Sequence, residues 1–512
     1  MTSAYVGAAA DSPAGWDARR AWLILATTSV AVFAASLDTS IMFMAFPDIG
    51  RTFPDVSRAE LSWVINAYTI VFAALLVPSG RLADRVGRRR VFFVGLGIFS
   101  VSSGLCGTAP TEAALIGARV LQAVGGALLF PASLALVLNE FPQAKRAAAI
   151  AIWSSVGALA AALGPSIGGI IIDTFDWRWA FYINLPVGLF AFAAGGRLLR
   201  ESRADEPGPQ PDLVGVPMLA VGIGALALGI VQSGDWGWTD PRTIGAFLAA
   251  ATVLLLFILR CATHPSPTLD LTLFREHNFR LANVATLAFA VSFSAMFFGL
   301  VQFLVYVWGY SILEAGLTIW PGPLTASVVA VLSGRFVDRV GYRVILPLGS
   351  AFFITGSLWL MAFAEVEPNL WGVWVPSALL TGIGVGLAMP SLSSAAVRSL
   401  PPNRYAVGSA VNQTIRTIGS VFGVALAVAL LGQLTPAEVL DAFDRVWLLM
   451  VGAALTAGIV SLFLRQPVPA VLAASSDAPM RAPMDNSQQP IPLAVGYDRN
   501  TSTMEVPNER HE

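Results

Sequence analysis

One carboxylate stands in the middle of an apolar run. The stretch AASLDTSIMFMAFP, residues 34–47, holds Asp38 inside an apolar segment that begins near residue 21. A carboxyl in a low-dielectric span resists ionisation, and a cation beside it opposes that tendency. The two together can take up and release a proton without a histidine. Two cations also lie within apolar sequence, Arg119 and Arg416. A charge at mid-membrane costs about 2.5–3.5 kcal/mol on insertion scales, so it is seldom kept without a partner or a watery cavity. For Arg119 the plain alternative is a structural hydrogen bond to backbone carbonyls. Asn66, Gln122, Asn412, Tyr68 and Trp153 fall in apolar segments where they could line the same cavity, as do Phe297 and Trp320. Isolated amides in such segments also serve simply as glue between helices, and a single aromatic is usually packing.

Other chemistries find little footing. His264, His277 and His511 all lie in polar stretches, and Cys106 and Cys261 offer neither disulfide nor metal spacing; no metal site is expected. No G-x-x-x-x-G-K-[ST] stretch is present, which speaks against ATP-driven work by this chain alone. A net charge of −1 gives no footing for nucleic acid. A membrane-embedded enzyme would need paired carboxylates or clustered histidines. The acid census instead leaves Asp38 alone within a span, with Glu314 at the border of another.

These residues need helices in a bilayer to position them. The 512 residues are 55% hydrophobic and only 12% charged, with mean hydropathy +0.68, against roughly a quarter charged in soluble proteins. A spanning helix needs about 20 apolar residues. Fourteen segments qualify: 21–46, 59–79, 91–109, 112–138, 147–172, 178–198, 213–232, 243–261, 281–305, 314–334, 344–364, 371–397, 406–431 and 446–464. Arg19 and Arg20 precede a first segment too long for a secretory signal, so it reads as an uncleaved span. The chain from Arg465 reads as a disordered tail. With both termini cytoplasmic, 24 of the 31 basic residues fall in inside loops and tails and five outside, leaving Arg119 and Arg416 within spans. A wrong span number would scramble that asymmetry.

The chain also repeats itself. GRLADRVGRRR (80–90) after the second span matches GRFVDRVGYRV (334–344) after the tenth, at an offset of 254 residues. GGALLFP (125–131) resembles GVGLAMP (384–390) at an offset of 259. Spans 1–6 therefore recur as spans 9–14, with spans 7 and 8 inserted. Parallel six-span repeats are the architecture of the major facilitator fold, whose substrate site lies near the midplane between the halves.

Several stretches in order resemble the fourteen-span drug:proton antiporters of the major facilitator superfamily, the EmrB/QacA type. They are LDTSIMFMAFP (37–47), WVINAYTIVFAALLVPSGRLADRVGRRR (63–90), RVLQAVGGALLFPAS (119–133), GALAAALGPSIGG (157–169), WRWAFYINLPVG (177–188), WGW (236–238) and NQTIRTIGSVFG (412–423). Ala123 and Val305 depart from the pattern, standing where Gly and Gln are common. The resemblance implies a cytoplasmic latch at Gly80, Asp84, Arg85, Gly87 and Arg88, with Asp84 near a helix N-terminus of the other half, where its charge is favourable; Asp338 would be a weaker counterpart. It further implies that Gly157, Gly164, Pro165, Gly168 and Gly169 pack the fifth span against the tenth. Proton coupling would rest on Asp38 with a cavity-facing Arg119.

The reading is thus an all-α polytopic membrane protein of the major facilitator fold. It comprises a cytoplasmic start (1–20), a six-helix bundle (21–198), a linker with two extra helices (199–280), a second six-helix bundle (281–464) and a cytoplasmic tail (465–512). Its expected work is not enzymatic: proton-coupled export of hydrophobic or amphipathic small molecules across the cytoplasmic membrane. The alternative is dedicated export of one metabolite, such as an antibiotic, lipid or amino acid. The expected partners are substrate, protons and the lipid bilayer, with the proton gradient in place of a cofactor; a periplasmic adaptor is not indicated by the sequence.

Overall fold

The computed structural model describes residues 17–203, 210–401, 404–432 and 438–465. The side chains of Ala144, Ala147, Ala158, Arg335, Asp338 and Ala406 also lie outside the description, as do the expected N-terminal segment to residue 16 and the tail from residue 466. No strand occurs among the described residues.

Fourteen helices are long and apolar enough to cross a bilayer. They are α1 (Ala18–Thr52), α2 (Arg58–Val86), α3 (Arg88–Gly107), α4 (Glu112–Glu140), α5 (Ala148–Thr174), α6 (Trp179–Leu198), α7 (Gly215–Trp236), α8 (Pro241–Thr263), α9 (His277–Tyr306), α10 (Ile312–Gly334), α11 (Tyr342–Phe363), α12 (Leu370–Arg398), α13 (Val407–Leu431) and α14 (Val439–Leu462). The protein is therefore a multi-pass membrane protein. Local chemistry sets several starts. Asp17 caps α1 by accepting from the Arg20 amide at 3.0 Å. Ser57 with Glu60 and Ser311 with Glu314 form reciprocal capping boxes at the entries to α2 and α10. Glu314 is thus occupied with a helix start.

Several helices run past their apolar cores, which revises the acid census. Asp48, Asp84, Asp441 and Asp444 lie inside helices as well. Each sits within about two turns of an end, where the 3.6-residue turn brings it toward the polar boundary. Asp38 alone among the described acids occupies a helix middle.

The internal repeat reappears in packing. Within the first half α1 packs on α4, α5 and α6, α4 on α2 and α3, and α3 on α6. Shifting every number by eight gives the second half: α9 on α12, α13 and α14, α12 on α10 and α11, and α11 on α14. The loop glycines repeat too. Gly87 closes α2 and Gly341 closes the helix that carries α10 on to Val340, with φ of 128° and 79°, conformations that glycine reaches without steric cost. The halves meet along two seams, α5 against α10 and α2 against α13, which the repeat interchanges. The extra pair breaks the equivalence. α7 packs against both α2 and α13, and α8 packs against α7. One seam is covered and the other is not.

Candidate functional site

The near end of the molecule is the end where α1 begins and α14 finishes; the far end is the opposite one. Asp38 sits inside the first half, 1% exposed. Its Oδ2 accepts from Arg119 Nη1 at 2.5 Å, and its Oδ1 accepts from Gln122 Nε2 at 2.9 Å and Asn184 Nδ2 at 3.1 Å. Arg119 also donates to Gln122 Oε1 at 2.6 Å and to the Val64 carbonyl at 3.1 Å, beneath the Tyr68 ring at 4.0 Å. Ser103 Oγ accepts from Gln122 and Asn184 and donates to the Phe181 carbonyl at 2.9 Å. One carboxylate, one guanidinium, two amides and a hydroxyl from α1, α3, α4 and α6 thus satisfy one another. Removing one member of such a buried pair is costly, because the other charge is left uncompensated.

Sequence reasoning reached Asp38, Arg119, Gln122 and Tyr68 but overlooked Asn184 and Ser103. It also expected Arg119 to face a cavity; the guanidinium is 1% exposed and sealed. The sealing follows from helix rotation. Between residues 31 and 47 of α1 the partly exposed residues are Phe33, Ser36, Thr39 and Phe43, a stripe at three- and four-residue spacing that leaves Asp38 on the inner side. At its far end the stripe meets the other half, where the Phe43 ring lies 5.0 Å from that of Phe297 on α9.

The remaining cavity candidates separate. Asn66 and Asn412 are buried, Asn66 donating to Ser62 Oγ and Asn412 joining Asn283 and Thr286 of α9 at 2.9 and 3.1 Å. Trp153 donates to Ser133 Oγ at 3.2 Å, tying α5 to α4. Arg416 differs from all of these. With Gln413, Thr417 and Ser420 it forms a partly exposed polar stripe on α13, and its Nη2 donates to Gln413 Oε1. Gln302 of α9 was overlooked; it is 1% exposed and neither amide atom has a partner among the described residues.

In the corner between α2 and α3, Asp84 accepts from its own neighbour Arg88 at 2.9 and 3.0 Å. It also shares a cleft with Arg404, the residue just before the second-half helix that begins at Tyr405. A second acid, Glu201, sits at the start of α3 in the same half, accepting from the amides of Arg89 and Arg90 at 3.1 and 3.3 Å. Asp84 is 44% exposed and lines a cleft of about 570 Å³ with Arg81, Asp270 and Arg404. Gly80 approaches Pro131 of α4, and Arg85 lies in the last turn of α2.

The glycines of α5 also divide. A Cβ on Gly164 would meet Ser40 Oγ at 2.2 Å, and one on Gly168 would meet Ile41 at 3.1 Å. These two, with Gly157 beside Ser36 and Val32, face α1 rather than α10. Of the five expected residues, Pro165 and Gly169 reach α10: a Cβ on Gly169 would stand 2.9 Å from the Ile312 carbonyl, and one on Gly316 would stand 2.4 Å from that of Pro165. One step around the helix is about 100°, enough to exchange one neighbour for another. The repeat has the same device at an offset of 255 residues, with Gly419 and Gly423 against the Leu287 and Val291 carbonyls of α9.

Side-chain contacts between the halves gather toward the far end. They include Phe43 on Phe297, Phe46 on Phe298 at 5.1 Å, Arg58 over Tyr306 at 4.5 Å, and Ser166 Oγ donating to the Gly316 carbonyl at 3.3 Å. Nearer the other end α5 and α10 expose Leu159, Leu163, Val328 and Val331. The halves thus meet along two seams with side-chain contacts concentrated at the far end, and a sealed ion pair is held inside one half.

Comparison with known proteins agrees with this architecture. The model of the Major Facilitator Superfamily matches residues 28–424. The multidrug resistance protein Stp of Mycobacterium tuberculosis is 34% identical over 407 residues, covering 79% of this chain and 74% of Stp. A tetracenomycin C resistance and export protein of Streptomyces glaucescens is 32% identical over 438 residues, covering 86% and 80%. Among solved structures, a peptide transporter POT carrying a Glu-to-Gln substitution superposes with TM-score 0.62 at 18% identity, covering 86% of this chain and 93% of that one; at that identity the likeness speaks for the fold alone.

Proposed function

The chain belongs to the Major Facilitator Superfamily, in its fourteen-helix drug-efflux type, and from that premise we propose that it is a proton-coupled efflux transporter. It exports hydrophobic or amphipathic small molecules, drugs among them, across the cytoplasmic membrane, with both termini inside. The near end is then the cytoplasmic end. We read the chain as a transporter and not an enzyme, drawing energy from the proton gradient.

The observation that carries the reading is the set of bonds around Asp38. Its partner Arg119 holds the Val64 carbonyl and lies over Tyr68, both on α2, a seam helix. Two residues along α1 from Asp38, Ser40 Oγ donates to the Ala161 carbonyl of α5 at 2.8 Å, the other seam helix of this half. A proton on Asp38 removes the charge that Arg119 faces. Gln122, Val64 and Tyr68 already stand by to hold the guanidinium when that happens. Protonation therefore changes how α1 and α4 grip the helices about which the halves move. Proton exchange and substrate exchange are coupled through that shift, with the sealed pair reached only as the halves rock.

The test is export of a panel of dyes and antibiotics from an efflux-deficient host and from everted vesicles, with and without an imposed pH gradient. Export of several unrelated compounds that collapses with the gradient is expected. Export of a single compound would favour the dedicated-exporter reading. Export indifferent to the gradient would remove proton coupling.

A further inference from the structure

We infer that Arg416 is a substrate-binding residue and that it selects amphipathic anions, molecules with an apolar body and one carboxylate or comparable acidic group. The inference rests on the exporter reading and names a substrate class for it.

The two intramembrane cations are in opposite circumstances. Arg119 is sealed and neutralised by Asp38 at 2.5 Å. Arg416 is partly exposed, and its described side-chain partner is the neutral amide of Gln413. Among the described residues no carboxylate pairs with it. A membrane helix does not turn such a charge to lipid but to the bundle interior or a watery cavity, and the partial exposure of Arg416 favours the cavity. Gln413, Thr417 and Ser420 are partly exposed on the same arc of α13, as expected of a cavity wall. With Asp38 and Arg119 cancelling, the cavity keeps one net positive charge from these residues.

The first half offers surface of another kind. Phe33, Ser36, Thr39 and Phe43 of α1 are partly exposed and carry no charge, and Phe43 meets the second half. Phe43 and Phe297 join the halves toward the far end with ring centroids 5.0 Å apart, and Phe293 stands 6.1 Å from Phe297. A ligand that satisfies both surfaces places an anionic head on the guanidinium, which binds carboxylates through paired N–H donors, and its apolar body against the aromatics. Gln413 holds the fork in place beforehand, which lowers the ordering cost of binding.

The test is binding of 1-pyrenebutyrate and its methyl ester, one apolar body with and without the charge, to the full-length protein in lipid nanodiscs. Energy transfer from the protein's tryptophans to pyrene gives the readout. In wild type the carboxylate should bind saturably. Arg416→Gln should weaken it about tenfold or more, the scale of losing a hydrogen bond to a charged group, while the ester binds as before. Arg416→Lys should retain part of the carboxylate binding, because it keeps the charge and loses the fork. Absence of saturable carboxylate binding in wild type overturns the inference. So does equal carboxylate binding in Arg416→Gln, or parallel loss of both probes in both variants, which would assign Arg416 to folding. Failure of the exporter reading would appear separately, as absence of efflux of any panel compound by wild type, and would leave these binding ratios unchanged.

Discussion

At the scale of single residues, the sequence was most legible where charge stands out against apolar neighbours. Asp38 and Arg119 drew attention because each costs free energy in a bilayer unless something compensates, and the compensation turned out to be each other. Asp38→Asn is expected to abolish substrate-induced proton release by purified protein while insertion and folding persist, with one proton per cycle released by wild type. Equal release from both proteins would move the proton site elsewhere. Asn184 and Ser103 escaped notice because a lone amide or hydroxyl near a helix end carries no such penalty and looks like ordinary interface chemistry. Gln302 escaped for the same reason. A second residue-scale prediction lies outside the spans. Asp212, just before α7, accepts from Arg260 of α8 at 2.7 and 2.9 Å and from the Gly215 amide at 2.9 Å. Burial alone would raise its affinity for a proton, but those bonds together hold its carboxyl below the usual carboxylate range. A lowered value in the folded state means stabilisation that is full above the unfolded value of about 3.9 and lost as pH falls through the folded one. Asp212→Asn should therefore unfold at a lower temperature than wild type at pH 7. The gap should close in strong acid; a gap independent of pH would assign the effect to packing.

At the scale of elements, all fourteen helices were legible, because runs of about twenty apolar residues and alternating arginine-rich loops both report span number. Which face of a helix meets which neighbour was not. Gly164 and Gly169 point about 140° apart, a little under half a turn, and the sequence assigned both to α10. Gly164→Leu should lower thermal stability by about 1–3 kcal/mol, the usual range for overpacking, because it drives into Ser40 and its bond to α5. Gly169→Leu should leave stability closer to wild type but abolish transport, since it wedges α5 from α10 toward the far end. Thermal unfolding beside vesicle efflux separates the two, and identical behaviour would refute the division of faces. The corner after α2 offers a similar contrast. A partly exposed ion pair such as Asp84 with Arg88, which spans the Gly87 turn, contributes only about 0.2–1 kcal/mol. Asp84→Asn is nevertheless expected to cripple transport at near-normal expression, with cysteine labelling showing longer opening to the cytoplasm. Such a loss would have to arise in a conformation where Asp84 holds something other than Arg88. Normal transport would dismiss the latch.

At the scale of the whole molecule, the 254-residue repeat foretold the two halves, and packing returned it helix by helix. The matching glycines of α13 that pack on α9 stayed hidden, because the letters around Gly419 and Gly423 share little with those around Gly164 and Gly168. If the halves part at the far end during the cycle, holding them together there must stop it. Phe43→Cys with Phe297→Cys, joined by a short bifunctional thiol reagent, should block efflux, and reduction of a cleavable linker should restore it. Unimpeded efflux by the joined protein would refute rocking at that end. The α7–α8 pair bears on how such rocking proceeds. Two seams related by the repeat would otherwise be mechanically interchangeable, and the molecule could flex about either with equal ease. With α7 wedged along α2 and α13, one seam gains stiffness and the other keeps its compliance. The motion then becomes that of a book with a bound spine at α2–α13, whose pages part at α5–α10, the edge that faces lipid.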